Sequence, residues 1–149
     1  MTRWLDPDEQ QTWRDFLAAG QLINEALDRQ LQREAGMPHT YYVILVTLSE
    51  APGRSMRMSE LAARAQSSQS RLSHAVARLE ERGWVRRERC PADGRGNVAV
   101  LTDEGFATLA SAAPGHVEEV RRSLFDALTR EQVRELGAIC SAVRGALER

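Results

Sequence analysis

Ser67-Ser68-Gln69-Ser70-Arg71-Leu72-Ser73-His74-Ala75-Val76-Ala77-Arg78-Leu79-Glu80-Glu81-Arg82-Gly83 decides how the rest of the chain is read. Placed on a helix at about 100° per residue, Leu72, Ala75, Val76 and Leu79 fall on one arc. Ser68 suits the N-cap, where a hydroxyl accepts from the free backbone N–H groups of the first turn. Gly83 suits the left-handed residue just past a helix end. A helix from about Gln69 to Arg82 is therefore predicted. Its opposite face carries Ser70, Ser73, His74 and Ala77, with Arg71 and Arg78 nearly in line along one flank. Such a face, polar and almost free of acid, is either plain solvated surface or a surface that meets a polyanion, and its neighbours decide between the two.

Before it, Ser59-Glu60-Leu61-Ala62-Ala63-Arg64-Ala65 reads as a short helix, and Gln66-Ser67 is about the length of the turn in a helix-turn-helix, without the usual glycine. After it, Trp84–Cys90 and Asn97–Leu101 are strand-like runs around the turn-rich tip Pro91-Ala92-Asp93-Gly94-Arg95-Gly96. Helix, turn, helix and hairpin make a winged helix-turn-helix. The expected fold class is mainly α with a small β-hairpin wing.

These residues resemble the multiple antibiotic resistance regulator (MarR) family of bacterial transcription factors. The resemblance rests on Ser59-Glu60-Leu61-Ala62, Leu79-Glu80-Glu81-Arg82-Gly83-Trp84-Val85-Arg86-Arg87, Asp93-Gly94-Arg95 and Leu101-Thr102-Asp103-Glu104-Gly105. The flanking helices match in length and order. The resemblance implies one MarR-like domain over residues 1–149, with a winged DNA-binding lobe at 37–105 and N- and C-terminal dimerisation helices at 1–36 and 115–149.

A chain of 149 residues, 42% hydrophobic and 28% charged, has the composition of one ordinary soluble domain. No run approaches the roughly 20 apolar residues of a membrane span, and Met1–Asp6 lacks the apolar core of a signal peptide, so no membrane partner and a cytoplasmic location are expected. Cys90 and Cys140 are far apart and read as reduced thiols, Cys140 as a packed core residue. The net charge of -1 hides an asymmetry. Residues 54–95 hold ten Arg against five acids, which concentrates positive potential on the winged region and leaves the frame acidic. Every basic residue apart from histidine is Arg, which suits bidentate contacts to phosphate and guanine; genomic base composition would account for the missing Lys equally well.

Asp6-Pro7-Asp8-Glu9 opens a first helix that continues to about Glu34. Pro38 opens a second, to about Glu50, closed by the turn Ala51-Pro52-Gly53. Thr102 caps a helix running to Leu128, with a kink or break expected at Pro114-Gly115. Thr129-Arg130-Glu131-Gln132 is a capping box opening a last helix, in which Val133, Leu136, Cys140, Val143 and Leu147 repeat at coiled-coil spacing. That seam, with Leu124 and Leu128, packs within its own chain or against a second one. The family resemblance implies the second: terminal helices interlocked into a homodimer.

A two-fold dimer presents two recognition helices, so the expected partner is double-stranded DNA carrying a pseudo-palindromic operator with half-sites about one helical turn apart. Ser70, Ser73 and His74 are the candidates for reaching base edges, with Ser68 at the same helix end; Gln69 and Arg71 read bases or hold phosphates. Arg78, Arg86 and Arg87 grip the backbone or make internal ion pairs. The resemblance places Arg95 in the minor groove, with Asp93 holding the wing. It also implies repression and release by a small aromatic or phenolic effector. Trp13, Phe16, His39, Tyr41 and Tyr42 are the candidate lining, and for each an ordinary core role stands beside that one.

Alternatives come from other classes. Cys90, between strand and wing tip and flanked by Arg87 and Arg89, is a candidate redox switch, although the peroxide-sensing branch of the family uses a cysteine in the first helix and none is present there. His39, His74 and His116 are scattered, so no metal site and no cofactor are expected. An enzyme is disfavoured: there is no phosphate-binding loop and no His-Glu-x-x-His, and Gly94-Arg95-Gly96 is too short for a cofactor signature. A winged helix serving protein interaction or DNA architecture without specific readout is the remaining reading.

Overall fold

The computed structural model describes residues 1–90 and 96–149. The order of elements is α1 (Pro7–Ala35), α2 (His39–Glu50), β1 (Ser55–Arg57), α3 (Met58–Arg64), α4 (Gln69–Glu81), β2 (Val85–Arg89), β3 (Asn97–Leu101), α5 (Asp103–Ser123) and α6 (Arg130–Leu147). The chain divides into two compact units, one of residues 28–115 and one of residues 1–27 with 116–149.

The 28–115 unit holds the core. Leu31, Met37, Leu45, Leu48, Leu61, Leu72, Val76 and Leu79 are wholly enclosed, so α2, α3 and the apolar arc of α4 share one interior with the sheet. The sheet is antiparallel in the order β1-β3-β2, with Met56 opposite Ala99 and Arg87 opposite Ala99 on the other side. The sequence reading has no counterpart for β1. Three residues with a single buried side chain carry too little alternation to be seen, and the strand exists because β3 has a second edge to pair.

The turn between α3 and α4 contains Gln66 at φ 53, a left-handed position a glycine normally takes, which explains how the motif closes without one. Gly83 occupies the equivalent position after α4, at φ 78. Gly105 meets a different demand: a Cβ there would run into the carbonyl oxygen of Trp84 and lie 2.8 Å from Leu101 Cδ1, so only glycine lets α5 start this close to the strand. Thr102 secures the same corner, donating to the Gly83 carbonyl at 2.6 Å and accepting from the Gly105 N–H at 3.0 Å.

In the other unit the first turn of α1 is fixed by a reciprocal pair: the Asp6 N–H donates to Glu9 Oε2 at 2.9 Å and the Glu9 N–H to Asp6 Oδ1 at 2.8 Å. The capping box of α6 forms as expected between Thr129 and Gln132. Three expectations are corrected. The helix through Pro114 is unbroken to Ser123, since a proline removes one backbone donor and the flanking turns suffice to carry α5 on. It stops short of Leu128, with a short 3-10 turn at Phe125–Ala127. Cys140 is exposed rather than packed, because α6 buries no residue within the chain. Trp13, Phe16 and Leu17 on α1 and Ile139, Val143 and Leu147 on α6 are likewise exposed. No helix among the described residues is long and apolar enough to cross a membrane.

Candidate nucleic-acid interface

The α3-turn-α4 pair positions the candidate residues. Ser68 Oγ accepts from the Arg71 N–H at 3.1 Å, as expected of the cap, and so sets the helix end. With Leu72, Val76 and Leu79 buried, the helix can present only its other side. Gln69, Ser70, Arg71, His74 and Arg78 are exposed, whereas Ser73 is half-buried. The Arg71 side chain makes no ion pair among the described residues.

The arginines behind this face behave differently from one another. Arg87 Nε donates to Glu80 Oε1 at 2.7 Å, its backbone N–H reaches Glu80 Oε2 at 3.3 Å, and its Nη1 reaches Ser73 Oγ at 3.4 Å. Arg87 therefore ties β2 to α4, and Ser73 serves that tie. Arg78 pairs with Glu81 at 3.3 Å and Arg86 with Glu88 at 2.7 Å, both in solvent, where such pairs are weak and an incoming phosphate can compete. Asp93 and Arg95 lie outside the described residues.

Two further arginines stand outside the set of DNA contacts expected from the sequence. Arg89 is exposed at the wing end of β2 without an ion pair among the described residues; the two-residue period of a strand puts it on the Arg87 side, a signal available in the sequence. Arg82 lies over Tyr41 at 5.3 Å and Trp84 at 5.0 Å from the ring centroids, and donates to the Gly36 carbonyl at 3.0 Å. It thus anchors the end of α4 to the turn before α2, a contact across 46 positions that local pattern does not reveal.

The five candidate effector residues are divided between the units. Trp13 and Phe16 stack with centroids 6.2 Å apart and are 53% and 61% exposed. Tyr42 is buried in the core of the other unit, where burial raises its pKa, and Tyr41 packs on Arg82. His39 is half-buried; burial lowers its pKa, with Asp28 pulling the other way, and the Asp28 carboxylate also accepts from the His39 backbone N–H at 2.9 Å. A shallow cavity of about 370 Å³ in that unit is lined by Glu34, Ala35, Glu104, Ala107, Thr108, Ser111 and Ala112, none of the five. Cys90 is buried, which shields its thiol from an oxidant.

A short helix, a tight turn, a capped helix whose outer face carries no acid from Gln69 to Arg78 and a three-stranded wing define a winged helix-turn-helix protein. A sequence model of the MarR family matches residues 35–96. Over its whole length the chain is similar to Sco3205, a MarR family transcriptional regulator from Streptomyces coelicolor crystallised in complex with DNA: 55% identity, 100% of this chain and 93% of that one, TM-score 0.95. AbsC, a MarR family regulator from the same organism, gives 43% identity, 99% of each chain and a TM-score of 0.91. Transcriptional regulator HosA of Escherichia coli O111:H- is 38% identical over 73 residues, 49% of this chain and 53% of HosA, so the chain matches about half the length of that relative. The chain belongs to the MarR family of transcriptional regulators, and the enzyme reading falls away with that assignment.

Proposed function

We propose that this regulator acts as a two-fold homodimer that places the exposed face of α4 from each copy into successive major grooves of a pseudo-palindromic operator, and that it represses by occupying the promoter. The observation that carries the reading is the outer face of α4, where Ser70, Arg71 and His74 stand in solvent without an acid among them. Ser70 and His74 reach base edges; Arg71, Arg78, Arg86 and Arg89 hold phosphates; Arg95, at the wing tip in the sequence, reaches the minor groove. Ser73 and Arg87 position the helix rather than touch DNA. The complex of Sco3205 with DNA supports the choice of partner, and the open apolar face of α6 supports the dimer. A small aromatic or phenolic effector releases the operator, for which the exposed Trp13–Phe16 stack offers a matching surface.

The test is selection of sites by the purified protein from fragmented genomic DNA of its source, followed by a salt titration of the winning site. Recovery of a short palindrome near a promoter, bound at nanomolar Kd with a slope of several phosphates, is the expected result. Binding that is equally tight to unrelated sequences would overturn the operator reading.

A further inference from the structure

One side chain ties the C-terminal ends of α1 and α4 together. Arg82 is the C-cap residue of α4, where its N–H donates to the Arg78 carbonyl at 3.3 Å. Its Nη1 donates to the Gly36 carbonyl at 3.0 Å, one residue past the end of α1. That carbonyl stands at the negative pole of the α1 dipole, which favours a cation there. The same guanidinium lies 5.3 Å from the Tyr41 ring centroid and 5.0 Å from that of Trp84. It has no carboxylate partner among the described residues, so the carbonyl and the two ring faces alone set its position.

The Gly36 anchor is itself fixed. The Gly36 N–H donates to the Gln32 carbonyl at 3.2 Å and the Met37 N–H to the Leu31 carbonyl at 3.4 Å, and Leu31 and Met37 are wholly enclosed in the core of the 28–115 unit. Those apolar contacts hold the end of α1 in that unit but resist rotation weakly, because burial of apolar surface is non-directional. A flat guanidinium that bonds one carbonyl and covers two rings does set an angle. Leu31 and Met37 thus form a joint, and Arg82 braces it.

The angle matters because α1 is long. It runs unbroken from Pro7 to Ala35, so residues 28–35 belong to one compact unit and residues 7–27 to the other. At about 1.5 Å per residue its 29 residues span about 43 Å. A turn of about 5° at the Gly36 end displaces the far end by roughly 4 Å, close to the rise of about 3.4 Å for one base pair. In a two-fold dimer joined through the terminal helices, such a turn alters the separation of the recognition helices by a comparable distance.

We infer that Arg82 is a positioning residue that fixes the half-site spacing this regulator accepts, through its bond to Gly36 and its seat on Tyr41 and Trp84. The inference rests on the dimeric operator reading proposed above and deepens it: Ser70 and His74 choose bases, and Arg82 chooses the distance between the half-sites.

The experiment uses the full chain and the palindrome recovered by site selection, resynthesised with its half-sites moved together or apart by one and two base pairs. The Kd is measured for each duplex. The unsubstituted chain is expected to bind the recovered spacing at least about tenfold more tightly than the neighbouring ones. In Arg82→Met, which keeps the stem over the rings and loses the donors, that ratio should fall to about threefold or less, since the helices are no longer held at one separation. Preference among single-base variants within a half-site should stay as it was. Arg82→Lys retains the charge as well as the stem, so it tests the brace even where Arg82→Met does not fold. A point charge cannot keep the Gly36 bond and both ring faces at once, and its ratio should fall too. A substituted chain that keeps the full ratio, or that loses affinity by one factor at every spacing, would make Arg82 a contact of the fold alone and overturn the inference. An unsubstituted chain that binds every spacing equally would remove the dimeric operator reading, and the inference with it.

Discussion

Arg87 and Glu80 join the wing to the recognition helix: the guanidinium Nε of one lies 2.7 Å from the carboxylate of the other, both about a third exposed. Because Glu80 also takes the Arg87 N–H, the carboxylate fixes strand and helix at once. Charge-assisted bonds of this kind contribute about 1.5–3 kcal/mol when shielded, and partial exposure reduces that to about 1 kcal/mol here. Arg87→Ala is expected to lower stability by about that amount in urea unfolding at fixed protein concentration. Combining it with Glu80→Ala should show a coupling of about 0.5–1 kcal/mol, and strict additivity would show that the two residues do not act as a pair.

Arg71 and Arg89 contrast with that pair, since each stands in solvent without an ion pair among the described residues. Arg71→Ala and Arg89→Ala should each leave the melting temperature within experimental error and reduce the salt slope of DNA binding by about one. An unchanged slope in either variant would place that arginine off the phosphate backbone.

His74 is exposed on the outer face of α4, one turn on from Ser70. His74→Ala should alter the sequence preference more than the total affinity, with about 1–3 kcal/mol of discrimination lost at one base position of each half-site. Binding measured against a panel of single-base operator variants separates this from a backbone role, for which the loss is uniform.

Gly105 allows α5 to start against the Trp84 carbonyl, and Gly105→Ala drives a methyl into that oxygen and toward Leu101. Both neighbours are held, one by backbone and one by the core, so relief requires moving the wing. A loss of about 1–3 kcal/mol is expected, with a matching fall in operator affinity. Wild-type stability in this variant would mean that the corner is far more pliable than its packing implies.

The recognition helix was legible in the sequence because thirteen residues gave its period full play, with Ser68 and Gly83 marking its ends. The same local logic gave α1, α2 and the α6 cap, whose signals sit within four positions of each other. It could not give β1, whose three residues become a strand only through pairing with β3. Nor could it give the role of Arg82, which depends on Tyr41, Trp84 and Gly36 being folded together. Cys140 misled because a heptad-like seam shows that a residue wants covering without showing by which chain. Ser73 has a partner that helical spacing does not show. Helical spacing puts it beside Ser70 and His74, but its hydroxyl is turned to Arg87, and only the strand's placement reveals that.

His39 gives a stability dependence on pH whose sign follows from its surroundings. Burial disfavours the imidazolium more than Asp28 favours it, so the folded-state pKa lies below the ordinary value of 6.5. The unfolded chain then binds the proton more readily. The stability due to neutral His39 is fully present above about pH 6.5 and is lost as the pH falls from there through the lowered folded-state value. The urea midpoint should therefore drop between pH 8 and pH 5, and His39→Gln, which cannot take up a proton in this range, should flatten that part of the profile. Since the His39 N–H is held by Asp28, the substitution keeps the backbone bond that starts α2 while it removes the titrating group. A profile that keeps its full slope in His39→Gln would assign the acid sensitivity to another group.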